Sequence, residues 1–442
     1  MLTNERINIF WFRRDLRLTD NHGLFRALEA GLPVVCIFIF DKNILDRLEN
    51  RHDRRVSFIY RQVEKIKTEL EQAGSILLTR YGKPSDIFKD LADDLNIQAV
   101  YTNEDYDPEA QKRDEEISKI LSAKNIGFNA FKDQVIFSKS EILKPNGEPY
   151  TIFTPYSKKW LAAAESDPGS LQSFPSEKLS ACFLKFDPEP LIPLASAGFE
   201  EIEPGVRPIK DDPHTLQQYG TNRDKLFADA TSHAGVHLRF GTVSIRDLAR
   251  KGFLYSGTFL SELIWRDFFQ SILFHFPQVG RGASFKPAYD NIRWRNNEEE
   301  FEKWCAGKTG YPAVDAGMRE LNESGFMHNR ARMITASFLC KHLLIDWRWG
   351  EAWFAEKLLD YDLAANNGGW QWASGSGCDA APYFRIFNPH TQLQKFDPQL
   401  LYAKKWIPEY GTSNYPAPLV DHDFARKRCL DAYKAALKKE GP

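Results

Sequence analysis

The chain has 442 residues, 43% hydrophobic and 13% aromatic, with a formal net charge of -2 from 58 basic and 60 acidic side chains. That length exceeds one ordinary core and predicts two or more domains. Near neutrality excludes a protein that coats nucleic acid indiscriminately, though not one with a local basic groove. The cysteines (Cys36, Cys182, Cys305, Cys340, Cys378, Cys429) form no CxxC pair, which argues against a disulfide framework or a zinc site and fits a reduced, cytoplasmic protein. The apolar run after Glu5 and Arg6 is too short for a signal sequence or a membrane span, so no membrane association is expected.

From Ile7 to about Gln134, short apolar runs alternate with amphipathic segments. INIFWF reads as a strand, followed by a helix after Thr19-Asp20-Asn21. PVVCIFIF is a second strand, followed by a helix over Ser57 to Gly74; SILLTRY is a third, followed by a helix after Pro84-Ser85-Asp86; IQAVYTN is a fourth. Strands apolar on both faces, each followed by a helix, predict a doubly wound parallel sheet, and residues 1–134 are assigned an α/β fold. Residues 135–213 are assigned to an interdomain linker, because from Glu165 onward ESDPGSLQSFPSEK, KFDPEPLIP and EPGVRPIKDDP show little helical periodicity. Beyond it LQQYGTNRDKLF, TVSIRDLARKGF, TFLSELIWRDFFQSILFHF, NNEEEFEKWCAG, PAVDAGMRELNESG, RARMITASFLCKHLLIDW and GEAWFAEKLLDYDLAANN read as helices, which predicts an all-α domain over 214–442.

The densest chemistry lies in Asp360–Pro389, DYDLAANNGGWQWASGSGCDAAPYFRIFNP. Trp370 and Trp372 stand one residue apart, Gly368-Gly369 lets backbone approach a ligand closely, and Asp360, Asp362 and Asn366 lie just upstream in what reads as a glycine-punctuated turn. This mixture suits a large heteroaromatic cofactor, although a tryptophan-rich helix junction with capping polar groups has the same composition. Tryptophan is concentrated in the helical half: Trp265, Trp294, Trp304, Trp347, Trp349, Trp353, Trp370, Trp372 and Trp406, against Trp11 and Trp160 before it. About half of these are assigned to packing.

Three motifs are set aside. RRDLRLTDN follows the first strand where a dinucleotide fold needs GxGxxG. Gly307-Lys308-Thr309 looks like the end of a P-loop, but Glu302 occupies the first glycine's place and no strand precedes it, so it is read as a helix-terminating turn. His233 and His237 lack the glutamate of HExxH and a third ligand, and no metal site is expected.

With these pieces assembled, the chain resembles the photolyase/cryptochrome family, most closely its bacterial class I cyclobutane pyrimidine dimer (CPD) photolyases. The likeness is carried in order by WFRRDLRLTDN (Trp11–Asn21), ELIWRDF (Glu262–Phe268), GKTGYPAVDAGMREL (Gly307–Leu321), MHNRARMITASFL (Met327–Leu339), DLAANNGGWQWAS with APYFRIFNP, and YPAPLVDH (Tyr415–His422). The resemblance implies an α/β domain joined by a long linker to a helical domain that binds FAD, and a deoxyribodipyrimidine photo-lyase activity on UV-damaged DNA driven by electron transfer from photoexcited FADH⁻. It implies a monomer. Tyr219, Thr231, Ser232 and Gly235 are then expected at the FAD phosphates or ribitol, with Arg266 near them, and the hydroxyls of Thr231 and Ser232 suit a helix start. Where the family often has Leu-Ser-Pro this chain has Ala234-Gly235-Val236, so only the backbone of Gly235 is available. Arg332 and Asp360 are implied as an ion pair beside the flavin ring, Asp362 as a further ligand, and Asn366 as the amide at flavin N5.

The resemblance further implies that Trp370, Trp347 and Trp294 pass electrons from the surface. Trp265 and Trp372 wall the lesion, Glu262 bonds or protonates a thymine carbonyl, and Asn329 and Met333 line the same pocket. Neither Asn329 nor Met333 shuttles protons as an imidazole does, which favours cyclobutane dimers over (6-4) photoproducts. Phe326 stands where the family usually has Trp. Arg223, Arg330, Gln392, Lys395, Lys404 and Lys405 are the candidates for DNA phosphates. The second, antenna chromophore stays open among methenyltetrahydrofolate, a deazaflavin, a flavin and none: Glu109-Ala110 and Gly280-Arg281 depart from the family's folate pattern. Two alternative readings, a cryptochrome-type photoreceptor and a single-strand DASH type, are disfavoured by Asn366, by the short chain after His422 and by AANNGGWQW at Ala364–Trp372.

Overall fold

The computed structural model describes residues 5–187 and 189–437. The chain divides into two compact, interleaved units: Met1–Ser138, Leu161–Ile209 and His233–Leu254 form the first, and Lys139–Trp160, Lys210–Ser232 and Tyr255–Pro442 the second.

The first unit is built on five parallel strands, β1 (Ile7–Phe12), β2 (Val34–Asp41), β3 (Leu77–Gly82), β4 (Ile97–Asn103) and β5 (Gly127–Phe131), in the order β3-β2-β1-β4-β5. The near-continuous apolar runs of β1 and β2 are buried on both faces, as expected of strands covered by helices His22–Glu29, Arg54–Gln72, Pro84–Asp94 and Pro108–Ser122. The doubly wound α/β reading therefore holds. Neither β5 nor the helix Pro108–Ser122 had been picked out in the sequence: GFNAF lies at the sheet edge, half exposed, and carries no buried-strand signature.

RRDLRLTDN serves as a joint in place of a phosphate cradle. Asn21 caps the helix His22–Glu29 by accepting from Leu24 N at 3.1 Å, and Asn103 Nδ2 donates to it at 2.8 Å. Arg17 pairs with Asp133 at 2.7 Å, and Arg246 reaches both Asp20 (2.9 Å) and Asp133 (2.8 Å), all within the buried interior of this unit. The two guanidinium groups outweigh burial and hold the Asp133 carboxyl down at about 2. Removing one member strands the others, so Asp133→Ala is expected to destabilise the protein by about 3–5 kcal/mol. Because the folded pKa is depressed, the contribution of Asp133 is complete above the ordinary carboxylate value and is lost as pH falls toward about 2. Acid unfolding followed by circular dichroism should therefore show wild type losing stability across that interval, and Asp133→Ala losing correspondingly less.

The stretch 135–213 differs from the single linker expected. It contains a 14-residue helix, Phe153–Ser166, and its parts belong to different units. The physical reason is where its side chains pack. Phe153 stacks on Trp265 (centroids 3.7 Å apart) and Trp160 Nε1 donates to Asp267 at 2.9 Å, whereas Asn21 N donates to Ser176 Oγ at 3.2 Å and Leu184 N to the carbonyl of Val34 at 2.9 Å. Residues 233–254, expected within the all-α domain, likewise belong to the first unit.

The second unit is helical. Its described elements include Pro213–Asn222, Gly257–His275, Glu298–Cys305, Pro312–Ser324, Asn329–Ser337, Trp347–Lys357, Leu363–Ser374, Pro389–Phe396, Leu401–Trp406 and His422–Leu437. Two segments read as continuous helices are broken. RARMITASFLCKHLLIDW passes from α-helix into a π-turn, Phe338–Leu343, and stops at Leu344, whose φ of +54° leaves the helical region. GEAWFAEKLLDYDLAANN ends its first helix at Lys357 and restarts where Asp362 accepts from Ala365 N at 3.3 Å. Gly307, with φ of +62°, follows the helix Glu298–Cys305 as the helix-terminating turn expected.

Candidate functional site

The helix Leu363–Ser374 carries the residues that looked like a ligand loop; Gly368 and Gly369 are inside it, not in a turn. Each glycine has its own reason. A Cβ on Gly368 would sit 2.3 Å from the Phe269 ring, so the absent side chain lets the helices Leu363–Ser374 and Gly257–His275 approach closely. A Cβ on Gly369 would meet nothing within 4 Å. Ala365 and Gly369 are exposed and Asn366 is half-buried, while Ala364, Asn367, Trp370, Gln371 and Ser374 are buried, so one face of this helix is open and the opposite face is core.

Neighbouring helices repeat this division. Glu262, Trp265, Arg266 and Phe269 lie half-buried along one side of Gly257–His275, while Leu263, Ile264, Asp267, Phe268 and Gln270 are buried. Asn329 is exposed and Met333 half-buried, one turn apart on Asn329–Ser337. Three helices of one bundle thus carry exposed or half-buried residues on one side and core on the other. Trp265 and Trp372 line one small cavity with Phe269, Gly368 and Asp379. One face of Trp265 is covered by Phe153, which the sequence reading had not anticipated.

Arg332 pairs with Asp360 at 2.9 Å, as expected, and its Nε donates to the Met327 carbonyl at 2.8 Å. Asp362 caps its helix and accepts from Gln270 Nε2 at 3.1 Å, so its carboxylate has structural duties besides any ligand. The Asn366 amide donates through Nδ2 to the Glu351 carbonyl at 3.2 Å, which leaves its Oδ1 to accept from a ligand N–H. Glu351 was missed in the sequence. Its Oε1 accepts from Asn367 Nδ2 at 2.9 Å, and burial pushes its carboxyl up to about 7. The available signal was a lone acid among the rings of WGEAWF.

Tyr219 is buried edge-on against Phe259 at 5.4 Å, and burial raises its phenol. Thr231 and Ser232 stand just before the N-cap of the helix Ala234–Phe240, which is His233, with φ of +53° and no capping bond from its own side chain. Gly235 is exposed in the first turn of that helix and belongs to the other compact unit. His237 bonds Thr242 Oγ1 (2.9 Å) and the Arg207 carbonyl (3.0 Å) through its two ring nitrogens.

Two of the residues assigned to phosphates are engaged inside the second unit. Arg223 forms an ion pair with Glu262, and Arg330 pairs with Asp224 at 2.7 Å while lying 4.4 Å over the Phe396 ring. Lys395, Lys404 and Lys405 are exposed, and Gln392 is half-buried on the same helix as Lys395. Burial is the largest influence on Glu262 and raises its carboxyl, with Arg223 opposing.

Trp370 and Trp347 are fully buried in one aromatic cluster, and half-buried Trp294 packs against it. Trp370 contacts Phe354 (5.0 Å) and Trp304 (6.1 Å), and its Nε1 finds no hydrogen-bond partner among the described residues.

The residues present fit a flavin in their chemistry: an accepting amide oxygen at Asn366, an open helix face at Gly369, and a cation–carboxylate pair at Arg332 and Asp360. The sequence matches two family models, "DNA photolyase" over residues 8–176 and "FAD binding domain of DNA photolyase" over residues 259–413. It is 36% identical to the deoxyribodipyrimidine photo-lyase of Vibrio cholerae over 97% of this chain and 100% of that protein. Its fold matches a bacterial class III photolyase from Agrobacterium tumefaciens (TM-score 0.86, 32% identity, 99% of each chain). It also matches an archaeal photolyase from Sulfolobus tokodaii with two FAD molecules (TM-score 0.80, 32% identity, 97% of this chain and 99% of that one). The chain therefore belongs to the photolyase/cryptochrome family.

Proposed function

We propose that this protein is a light-driven DNA repair enzyme that splits cyclobutane pyrimidine dimers in UV-damaged DNA with FAD as its cofactor. The observation that carries the reading is the set of open helix faces bearing Glu262, Asn329, Met333, Asn366 and Gly369 in one helical bundle, in a chain alike from end to end to a photo-lyase. The flavin, when bound, supplies an electron on illumination.

The protein's own groups do the rest. Arg332, Asp360 and Asn366 hold and orient the cofactor. Trp265 and Trp372 present apolar ring faces to a linked pair of adjacent pyrimidines already poorly stacked, which lowers the cost of extracting it. Glu262 offers a carboxyl to a pyrimidine carbonyl. Asn329 and Met333 complete the pocket with side chains that are not imidazoles, which favours a reaction needing only an electron in and back out. Trp370, Trp347 and Trp294 refill the flavin with electrons. Arg223, Arg330, Gln392 and Lys395 meet the DNA backbone, the first two by exchanging their internal carboxylate partners for phosphates. Cytoplasmic location, a monomeric state and an antenna chromophore in the α/β domain, as assigned at residues 1–134, belong to the same reading.

Reduced protein under blue light should restore dimer-containing duplex DNA at least as efficiently as single strands, with Glu262→Ala lowering the yield; equal repair in darkness would contradict the proposal. Exchange at Arg223 makes a second, less obvious prediction. Pairs exposed to this degree are worth up to about 1 kcal/mol. Releasing Arg223 by Glu262→Gln should therefore tighten binding to undamaged duplex by roughly two- to fivefold in a filter-binding or anisotropy assay. In an Arg223→Gln background the same change should have little effect; an equal gain there would mean that Glu262 merely repels phosphate.

A further inference from the structure

Lys341 lies in the π-turn Phe338–Leu343 and is 1% exposed, and no carboxylate lies within hydrogen-bond range of it among the described residues. Its Nζ donates to the carbonyl of Ser374 at 2.7 Å and sits 3.8 Å over the ring of Tyr433. Tyr433 is fully buried, and its hydroxyl donates to that same Ser374 carbonyl at 2.8 Å. Trp294 meets the Tyr433 ring edge-on at 6.0 Å, and Tyr383 (5.9 Å) and Tyr289 (6.1 Å) pack against it as well. The other ionisable groups that bear on Tyr433 are Cys340, Cys429 and Asp346, and Asp346 is engaged by Arg348 at 3.1 Å.

A tyrosine in contact with the outermost tryptophan is an obvious next electron donor. For it to serve, one electron must pass from the phenol to the oxidised indole of Trp294, and the hydroxyl proton must leave the phenol oxygen, giving a neutral tyrosyl radical and a reduced Trp294. Among the described residues the hydroxyl's hydrogen-bond partner is a backbone carbonyl, which is not a base. Burial lowers the nearby amine only to about 8, so at pH 7 it is mostly an ammonium and a poor proton acceptor, and a cation over the ring disfavours removing an electron from it. We propose that Lys341 keeps Tyr433 reduced and so confines the oxidised site to Trp294, where solvent-borne donors can reach it. The inference rests on the reading of Trp294 as the end of the tryptophan chain.

The test is electron paramagnetic resonance of the flavin-loaded protein, frozen after a flash, which reads the radical's identity and not the repair activity. Wild type and Lys341→Arg should give a tryptophanyl signal. Lys341→Ser, which removes the charge and leaves room for a proton-accepting water, should raise the tyrosyl share roughly tenfold or more, and adding Tyr433→Phe should abolish that rise. A role for Lys341 limited to holding the helix end would lower thermal stability in Lys341→Ser without changing the radical. A tryptophanyl signal alone in a folded Lys341→Ser would overturn the proposal, as would a wild-type tyrosyl signal lost in Tyr433→Phe; the latter needs no lysine variant. If Trp294→Phe leaves the radical unchanged, the chain reading itself fails and the proposal falls with it.

Discussion

Gly369→Leu is expected to yield a folded protein that takes up little or no FAD. The new side chain enters space where a Cβ meets nothing within 4 Å, on the helix face that carries Asn366, so it displaces a ligand and clashes with no protein atom. Replacing a mid-helix glycine also adds about 0.5–1 kcal/mol of helix stability, so the melting temperature of the flavin-free protein should hold or rise while flavin affinity falls by roughly a hundredfold. Gly368→Leu makes the opposite case one residue away. Its Cβ would lie 2.3 Å from the Phe269 ring, and overpacking there should cost about 1–3 kcal/mol of stability. Flavin absorbance after gel filtration, read beside the melting curve, separates the two. Normal flavin retention by Gly369→Leu would remove this helix face from the cofactor site.

Trp294→Phe is expected to slow photoreduction of oxidised flavin by roughly tenfold or more, while repair by prereduced protein stays within about twofold of wild type. Trp294 is the half-buried indole packed against the cluster that contains Trp347 and Trp370, and phenylalanine keeps most of the packing while removing the easily oxidised ring. Flash absorption of the flavin band measures the first quantity and a dimer-repair assay the second. Unchanged photoreduction would take Trp294 out of the chain. Equal loss of both activities would mean that the substitution damages the fold.

The parts of this architecture that could be read from residues alone are those where burial is uniform. β1 and β2 are apolar on both faces because helices cover both, and INIFWF and PVVCIFIF show it without ambiguity. β5 escaped because an edge strand needs no such run, and the breaks at Leu344 and at Leu358–Asp362 escaped because tertiary packing interrupts an apolar period that continues through them. The interleaving of the two units was likewise invisible, since one Pro-rich stretch supplies Trp160 to Asp267 in one unit and Leu184 to β2 in the other.

At the site, residue types were legible and their partners were not. Asn366, Arg332 and Asp360 stood out by motif; Arg332 and Asp360 form an ion pair, and Asn366 is half-buried beside exposed Ala365 and Gly369 on its helix. The engagement of Arg223 with Glu262, the stacking of Phe153 on Trp265 and the bond from Asn366 to Glu351 each join segments 15 or more residues apart, which no local pattern reveals. Gly369 illustrates the limit: two adjacent glycines look alike in sequence, and only packing shows that one makes room for a neighbouring ring and the other leaves a face open.

The most direct test is to reconstitute the purified protein with FAD, reduce it, and follow the loss of cyclobutane dimers from a defined oligonucleotide under blue light and in darkness. The account predicts a yellow protein whose dimer splitting requires both light and reduced flavin. A preparation that binds no FAD, or one that repairs equally well in the dark, would contradict it.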